Sequence, residues 1–229
     1  MTDFEEVSVT LQSGSHIKIQ AWQGSDDAQP LVIVAPSSSA VDWNDFVAFL
    51  APTHASILAN VSSSLELLML TWEIGEPVLV MAQGQPAVDI ASNLVAIAPA
   101  AAAGIIVCDG EIDTDQVAEM HEISTLVLRG RQGKSLSHAA AVKMHESLKN
   151  STLIEPENCG DFPAKNNPEA AASAMNLFLS RASGSFDEAS ETEPIDPKAQ
   201  SSIFRYFTSK GAMPARRHRH DIALPFPRL

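Results

Sequence analysis

The feature that most constrains this chain is an alternation. Through residues 1–183, short β-branched or aliphatic runs are separated by stretches whose apolar residues recur at helical spacing. Val7–Leu11 and His16–Trp22 read as a hairpin across Ser13-Gly14. Leu31–Ala35, Ala55–Ala59, Val78–Ala82, Gly104–Cys108, Thr125–Arg129 and Thr152–Glu155 read as buried strands. Between them the spacing predicts helices over Val41–Leu50, Ser64–Glu73, Pro86–Val95, Asp113–His121, Ser137–Lys149 and Pro168–Ser180, the last capped by Asn167 with Pro168 in its first turn. A hairpin followed by repeated strand-helix units predicts an α/β fold, an eight-stranded, mostly parallel sheet with helices on both faces.

The alternation stops at Ser183. Residues 184–196 carry five acids and no base and are interrupted by proline, too poor in apolar groups to repay the entropy of folding; they read as an acidic disordered linker. Residues 197–229 form a basic tail with seven bases and one acid, whereas residues 1–183 hold 22 acids and 8 bases. An acidic body repels phosphate, so the sequence predicts no direct nucleic-acid binding by the core. The start MTDFEEV lacks the basic residues of a secretory signal, and the longest apolar stretch, Leu94–Cys108, is broken by Pro99 and Gly104. Two cysteines are too few for a disulfide scaffold or a four-cysteine zinc module. The expectation is a soluble protein without membrane contact, located in the cytoplasm, at the nucleoid if bacterial or in the nucleus if eukaryotic.

Four stretches of the core resemble the α/β-hydrolase family. PLVIVAPSSSAVDWNDFVAFL is similar to the family's third strand, oxyanion loop and first helix, with Ala35-Pro36 where a histidine-glycine pair is usual. EPVLVMAQGQPAVDIASNL resembles the strand, turn and helix of the nucleophile elbow. STLVLRGRQGKSLSHAAAVKMHESL and ENCGDFPAKNNPEAAASAMNLFLSR are similar to the segments carrying the catalytic acid and the catalytic histidine. The short segment between residues 104 and 124 leaves no room for a lid domain. On this resemblance the nucleophile position is Gly84, within Ala82-Gln83-Gly84-Gln85-Pro86, the acid position is Gly133, and the histidine position is Asp161. A serine nucleophile needs a base and an orienting acid, so a chain lacking all three is expected to have no catalytic residues and no hydrolase chemistry.

Relocated chemistry has few candidates. Cys108 beside Asp109 reads as a small buried hydrophobe, and none of the seven histidines has ligand spacing, so neither a metal nor another cofactor is expected. The serine runs Ser37–Ser39 and Ser62–Ser64 lack the glycines and lysine of a phosphate loop. One remnant could bind: the Gln85 N–H with N–H groups near Ser37 would form a vestigial anion corner.

Inside the tail, Gln200-Ser201-Ser202-Ile203-Phe204-Arg205-Tyr206-Phe207 resembles the peptide that docks replication and repair proteins on the DNA sliding clamp. A single turn from Ile203 would bring the aliphatic plug and the aromatics Tyr206 and Phe207 to one face, with Gln200 hydrogen-bonding at the rim; Phe204 would end the shorter bacterial form. The competing readings are a helix folded back on the core, or docking on another partner. The sequence thus reads as a catalytically inactive α/β-hydrolase-like interaction module whose tail recruits a protein partner, with a small esterase- or lipase-like hydrolase of relocated catalytic residues as the alternative.

Overall fold

The computed structural model describes residues 4–24, 30–35, 42–50, 54–117, 119–120 and 122–184, and the side chains of 114 and 180–184 are not among them. Eight strands form one sheet: β1 (Glu5–Thr10), β2 (His16–Trp22), β3 (Leu31–Val34), β4 (Ser56–Ala59), β5 (Val78–Gln83), β6 (Ala102–Cys108), β7 (Thr125–Leu128) and β8 (Ser151–Ile154). Their spatial order is β1-β2-β4-β3-β5-β6-β7-β8. The hairpin strands pair antiparallel, β2 pairs antiparallel with β4, and every pairing from β4 through to β8 is parallel.

The helices are α1 (Asn44–Leu50), α2 (Ser64–Ile74), α3 (Gln85–Ile97), α4 (Thr114–Val117), α5 (His138–Ser147), α6 (Pro163–Asn166) and α7 (Pro168–Gly184). They lie on both faces because successive strand residues point to opposite sides. Val32, Ile57, Val80, Ile105 and Val127 join the cluster under α2, α3 and α5, while Leu31, Ile33, Leu79, Met81 and Ile106 join the one under α1, α6 and α7. On α1, Phe46, Val47 and Leu50 are fully buried, each worth about 1.5–3 kcal/mol relative to exposure.

Boundaries shift where local hydrogen bonds decide them. Ser63 and Ser137 stand outside their helices in extended conformation and accept from Glu66 N and Ala140 N, so α5 begins one residue later than expected. Asn167 caps α7 through its side chain, which accepts from Ala170 N at 3.2 Å. The helix expected over Asp113–His121 is the short α4, and α6 is an additional turn started by Pro163. The helix α7 continues to Gly184, past the expected end at Ser180. The linker and the tail, with Gln200, Ile203, Phe204, Tyr206 and Phe207, lie outside the described residues.

Candidate functional site

The central strand β5 leads into α3 through one residue, Gly84. Its N–H donates to Cys108 O at 2.7 Å, and its carbonyl accepts from Ala87 and Val88 at 3.1 Å each, which makes it both the strand's last anchor and the helix cap. The backbone there has φ 76° and ψ 164°, a region essentially reserved for glycine. A methyl group built on Gly84 would meet nothing within 4 Å, so backbone conformation, not crowding, selects glycine. No nucleophilic side chain exists at the tip of this turn.

The loops that follow β7 and β8 close on each other beside it. A Cβ at Gly130 would sit 2.0 Å from Gly160 O, so the two loops approach to a distance only glycine permits. Gln132 N donates to Cys159 O at 2.8 Å across the same seam. Asp161 then reaches back: its Oδ1 accepts from Ser135 N at 2.7 Å and from Lys134 N. These two N–H groups, Ser135 first, hold the Asp161 carboxyl below the usual range against a weaker opposing effect of burial. A Cβ at Gly133 would lie 3.0 Å from Asp161 Oδ1, so a side chain at 133 and the present Asp161 compete for one space. Gly133 and Asp161 are therefore in direct proximity, and Gln83, next to Gly84, donates from Nε2 to the Asp161 carbonyl at 3.0 Å.

Beneath this surface lies a polar group that the sequence reading did not single out. Gln83, 8 % exposed, ends β5, and Asp109, 5 % exposed, follows β6 with φ 53°. Gln83 Nε2 approaches Asp109 Oδ2 at 3.4 Å. Burial pushes the Asp109 carboxyl up to about 7; the Asp161 charge adds to this, while the Gln83 hydrogen bond and the Arg129 charge oppose it. Arg129, 7 % exposed, is committed elsewhere, donating to Leu136 O at 2.6 Å, Gly133 O at 3.0 Å and Glu155 Oε1 at 2.7 Å. It braces the β7 loop. Burial tends to raise the Glu155 carboxyl, but the hydrogen bonds from His138 and Arg129 outweigh it and leave it lowered.

Other reactive groups are placed where they do little chemistry. Cys108 and Cys159 are buried, and burial followed by the Asp109 charge raises both thiols, Cys108 well above the ordinary value. Among the described residues one serine-histidine pair occurs, His145 Nδ1 to Ser151 Oγ at 2.7 Å. It sits at the start of β8, the opposite edge of the sheet from Gly84, and Ser151 Oγ also bonds to the carbonyls of His145 and Leu148, closing the end of α5. No group of three or more metal-ligating side chains occurs among the described residues. Ser37 lies outside them, and the Gln85 side chain is bound to Asp89 at 2.7 Å and to both backbone groups of Glu111. Asp89 on α3, with Glu111 and Asp161 in the surrounding loops, places carboxylates around this corner. No helix among the described residues is long and apolar enough to cross a membrane.

No family model and no curated protein matches the sequence. Solved structures do match in shape. A thermophilic esterase from Thermogutta terrifontis superposes with a TM-score of 0.64 at 11% identity, covering 78% of this chain and 99% of the esterase. An α/β hydrolase from Novosphingobium aromaticivorans gives 0.64 at 15% identity over 79% of this chain and 99% of its own. A haloalkane dehalogenase from Bradyrhizobium elkani gives 0.64 at 13% identity over 80% and 100%. The chain has the α/β-hydrolase fold.

Proposed function

We propose that this chain is a catalytically silent α/β-hydrolase-fold module that works by binding protein, with its C-terminal tail recruiting a partner. The observation that carries the first half is Gly84, a residue without a side chain at the strand-to-helix turn where this fold presents a nucleophile. Gly133 and Asp161 are then the degenerate acid and histidine positions. Neither supplies a base, since Gly133 has no side chain and the Asp161 carboxylate is spent on the N–H groups of Lys134 and Ser135. The tail motif supports the second half: Gln200, Ile203, Phe204, Tyr206 and Phe207 fit the pattern of a peptide docked on the DNA sliding clamp, which implies an accessory role in replication or repair.

Two assays separate this reading from a hydrolase with relocated catalytic residues. Purified protein incubated with an activated ester and with a fluorophosphonate probe should give no burst and no label; either signal would restore the enzyme reading. A peptide covering Pro197–Lys210 should bind a sliding clamp with a Kd on the order of micromolar. In the full chain, joint replacement of Ile203, Tyr206 and Phe207 by alanine should abolish capture of the clamp. If neither bacterial nor eukaryotic clamps give heat or displacement of a known clamp peptide, the recruitment reading fails.

A further inference from the structure

Two buried oxygens at the carboxyl edge of the sheet have no hydrogen-bond donor among the described residues. They are Asp109 Oδ1 and Gln83 Oε1, on side chains 5 % and 8 % exposed. Their sister atoms are already engaged with each other, since Gln83 Nε2 approaches Asp109 Oδ2 at 3.4 Å and donates to Asp161 O at 3.0 Å. Both partners of that nitrogen are oxygens, which fixes the amide orientation and leaves Oε1 as an acceptor. The result is an amide and a carboxyl joined through one atom of each, with the remaining oxygen of each left as an acceptor. An unpaired buried acceptor is costly, and a proton on one of the two would give the other a donor.

We propose that Asp109 is held as the neutral acid, donating from Oδ1 to Gln83 Oε1, so that the two side chains form a closed acid–amide pair that latches the loop after β8 onto β5. The proton comes from solvent and returns to it; no covalent bond between heavy atoms changes. The latch is mechanical because the same Gln83 nitrogen also holds the Asp161 carbonyl, and Asp161 in turn holds the backbone of Lys134 and Ser135. Losing the proton would leave a charge and two orphan acceptors in one buried place, and the loops after β7 and β8 are what the pair secures.

The groups facing Asp109 agree with a neutral acid. Gln83 approaches from β5, Cys108 precedes it on β6, and Cys159 and Asp161 face it from the loop after β8. Arg129, just after β7, supplies the cationic charge acting on it among the described residues, and the guanidinium spends its hydrogen bonds on Glu155 and the carbonyls of Arg131, Gly133 and Leu136. The carboxyl's raised titration, up to about 7, follows from burial and the Asp161 charge. The proposal is independent of whether the chain is silent or catalytic, since it concerns a proton held inside the fold.

Carbon-detected NMR on uniformly labelled full-length protein reads the proton directly, with the Asp109 Cγ resonance assigned through its own side chain so that no variant is required. Its midpoint should lie near about 7, well above the ordinary value of about 4. The side-chain amide of Gln83 should titrate with the same midpoint, a coupling that burial alone would not produce. Asp109→Asn is the second arm, chosen because asparagine tolerates the left-handed backbone there and its amide donates where the acid did. The sign is fixed by linkage. A carboxyl raised in the folded state contributes stability that is complete below the unfolded value and lost as pH rises to the folded one. The variant's folded-to-unfolded ratio should therefore gain on the wild type by up to tenfold per pH unit between about pH 4 and 7, then level off. Its Gln83 amide signals should stay constant over the same range. An Asp109 midpoint near 4, or a Gln83 amide that ignores the Asp109 titration, would overturn the proposal.

Discussion

Replacing Gly84 by alanine separates backbone strain from crowding at the turn on which the functional reading rests. The space around Gly84 is open, with nothing within 4 Å of a built methyl group, so no neighbour has to move. The backbone, at φ 76° and ψ 164°, is in a region where a side chain costs about 1–3 kcal/mol. Alanine also stiffens the unfolded chain, which offsets about 0.4–1 kcal/mol. The midpoints of the two ranges leave a net loss of about 1.3 kcal/mol, and at about 2–4 °C per kcal/mol for a folded unit of this size the Tm falls by roughly 3–5 °C. Urea titration should show a lower midpoint with an unchanged m-value. Gly75 supplies the control, because its surroundings are equally open but its φ of 85° and ψ of 12° are the left-handed helical conformation that alanine adopts more readily. Gly75→Ala should lose less than Gly84→Ala. Equal losses, or a Gly84→Ala protein as stable as the wild type, would refute the claim that the turn is built for glycine. Gly84→Ser should match the alanine variant in stability and still take up no fluorophosphonate, since no histidine among the described residues stands beside it.

Arg129 and the cysteines test the surroundings. Arg129→Met removes one of Glu155's two partners, leaving His138, and the donors to three carbonyls, and should cost about 2–5 kcal/mol in equilibrium denaturation, whereas Glu155→Gln, which still accepts from Arg129, should cost markedly less; equal losses would mean that charge alone matters. A maleimide should label neither Cys108 nor Cys159 in native protein and both in urea, because burial and the Asp109 charge keep each thiol protonated; prompt native labelling at Cys159 would show that its loop opens.

The sequence by itself determined the sheet, because each buried strand announces itself locally. Leu31–Val34, Val78–Gln83 and Ala102–Cys108 are apolar runs that only a sheet covered on both faces can bury, and the serine, asparagine and proline caps mark most helix starts. The glycine at the turn from β5 into α3 was equally legible, since a glycine between a strand and a helix needs no tertiary information. Where the sequence reading expected a longer helix at Asp113–His121, the chain forms only a short turn, and no local residue announces this. The buried polar group was not legible at all. Gln83 meets Asp109 across 26 residues and Asp161 across 78, and the close approach of Gly130 to Gly160 joins two loops from different strands. A glutamine ending one strand and an aspartate ending the next look like ordinary polar punctuation until the sheet sets them side by side. What such a pair costs or contributes depends on who its neighbours are and how much water reaches it, and both are properties of the folded arrangement, not of any stretch of chain.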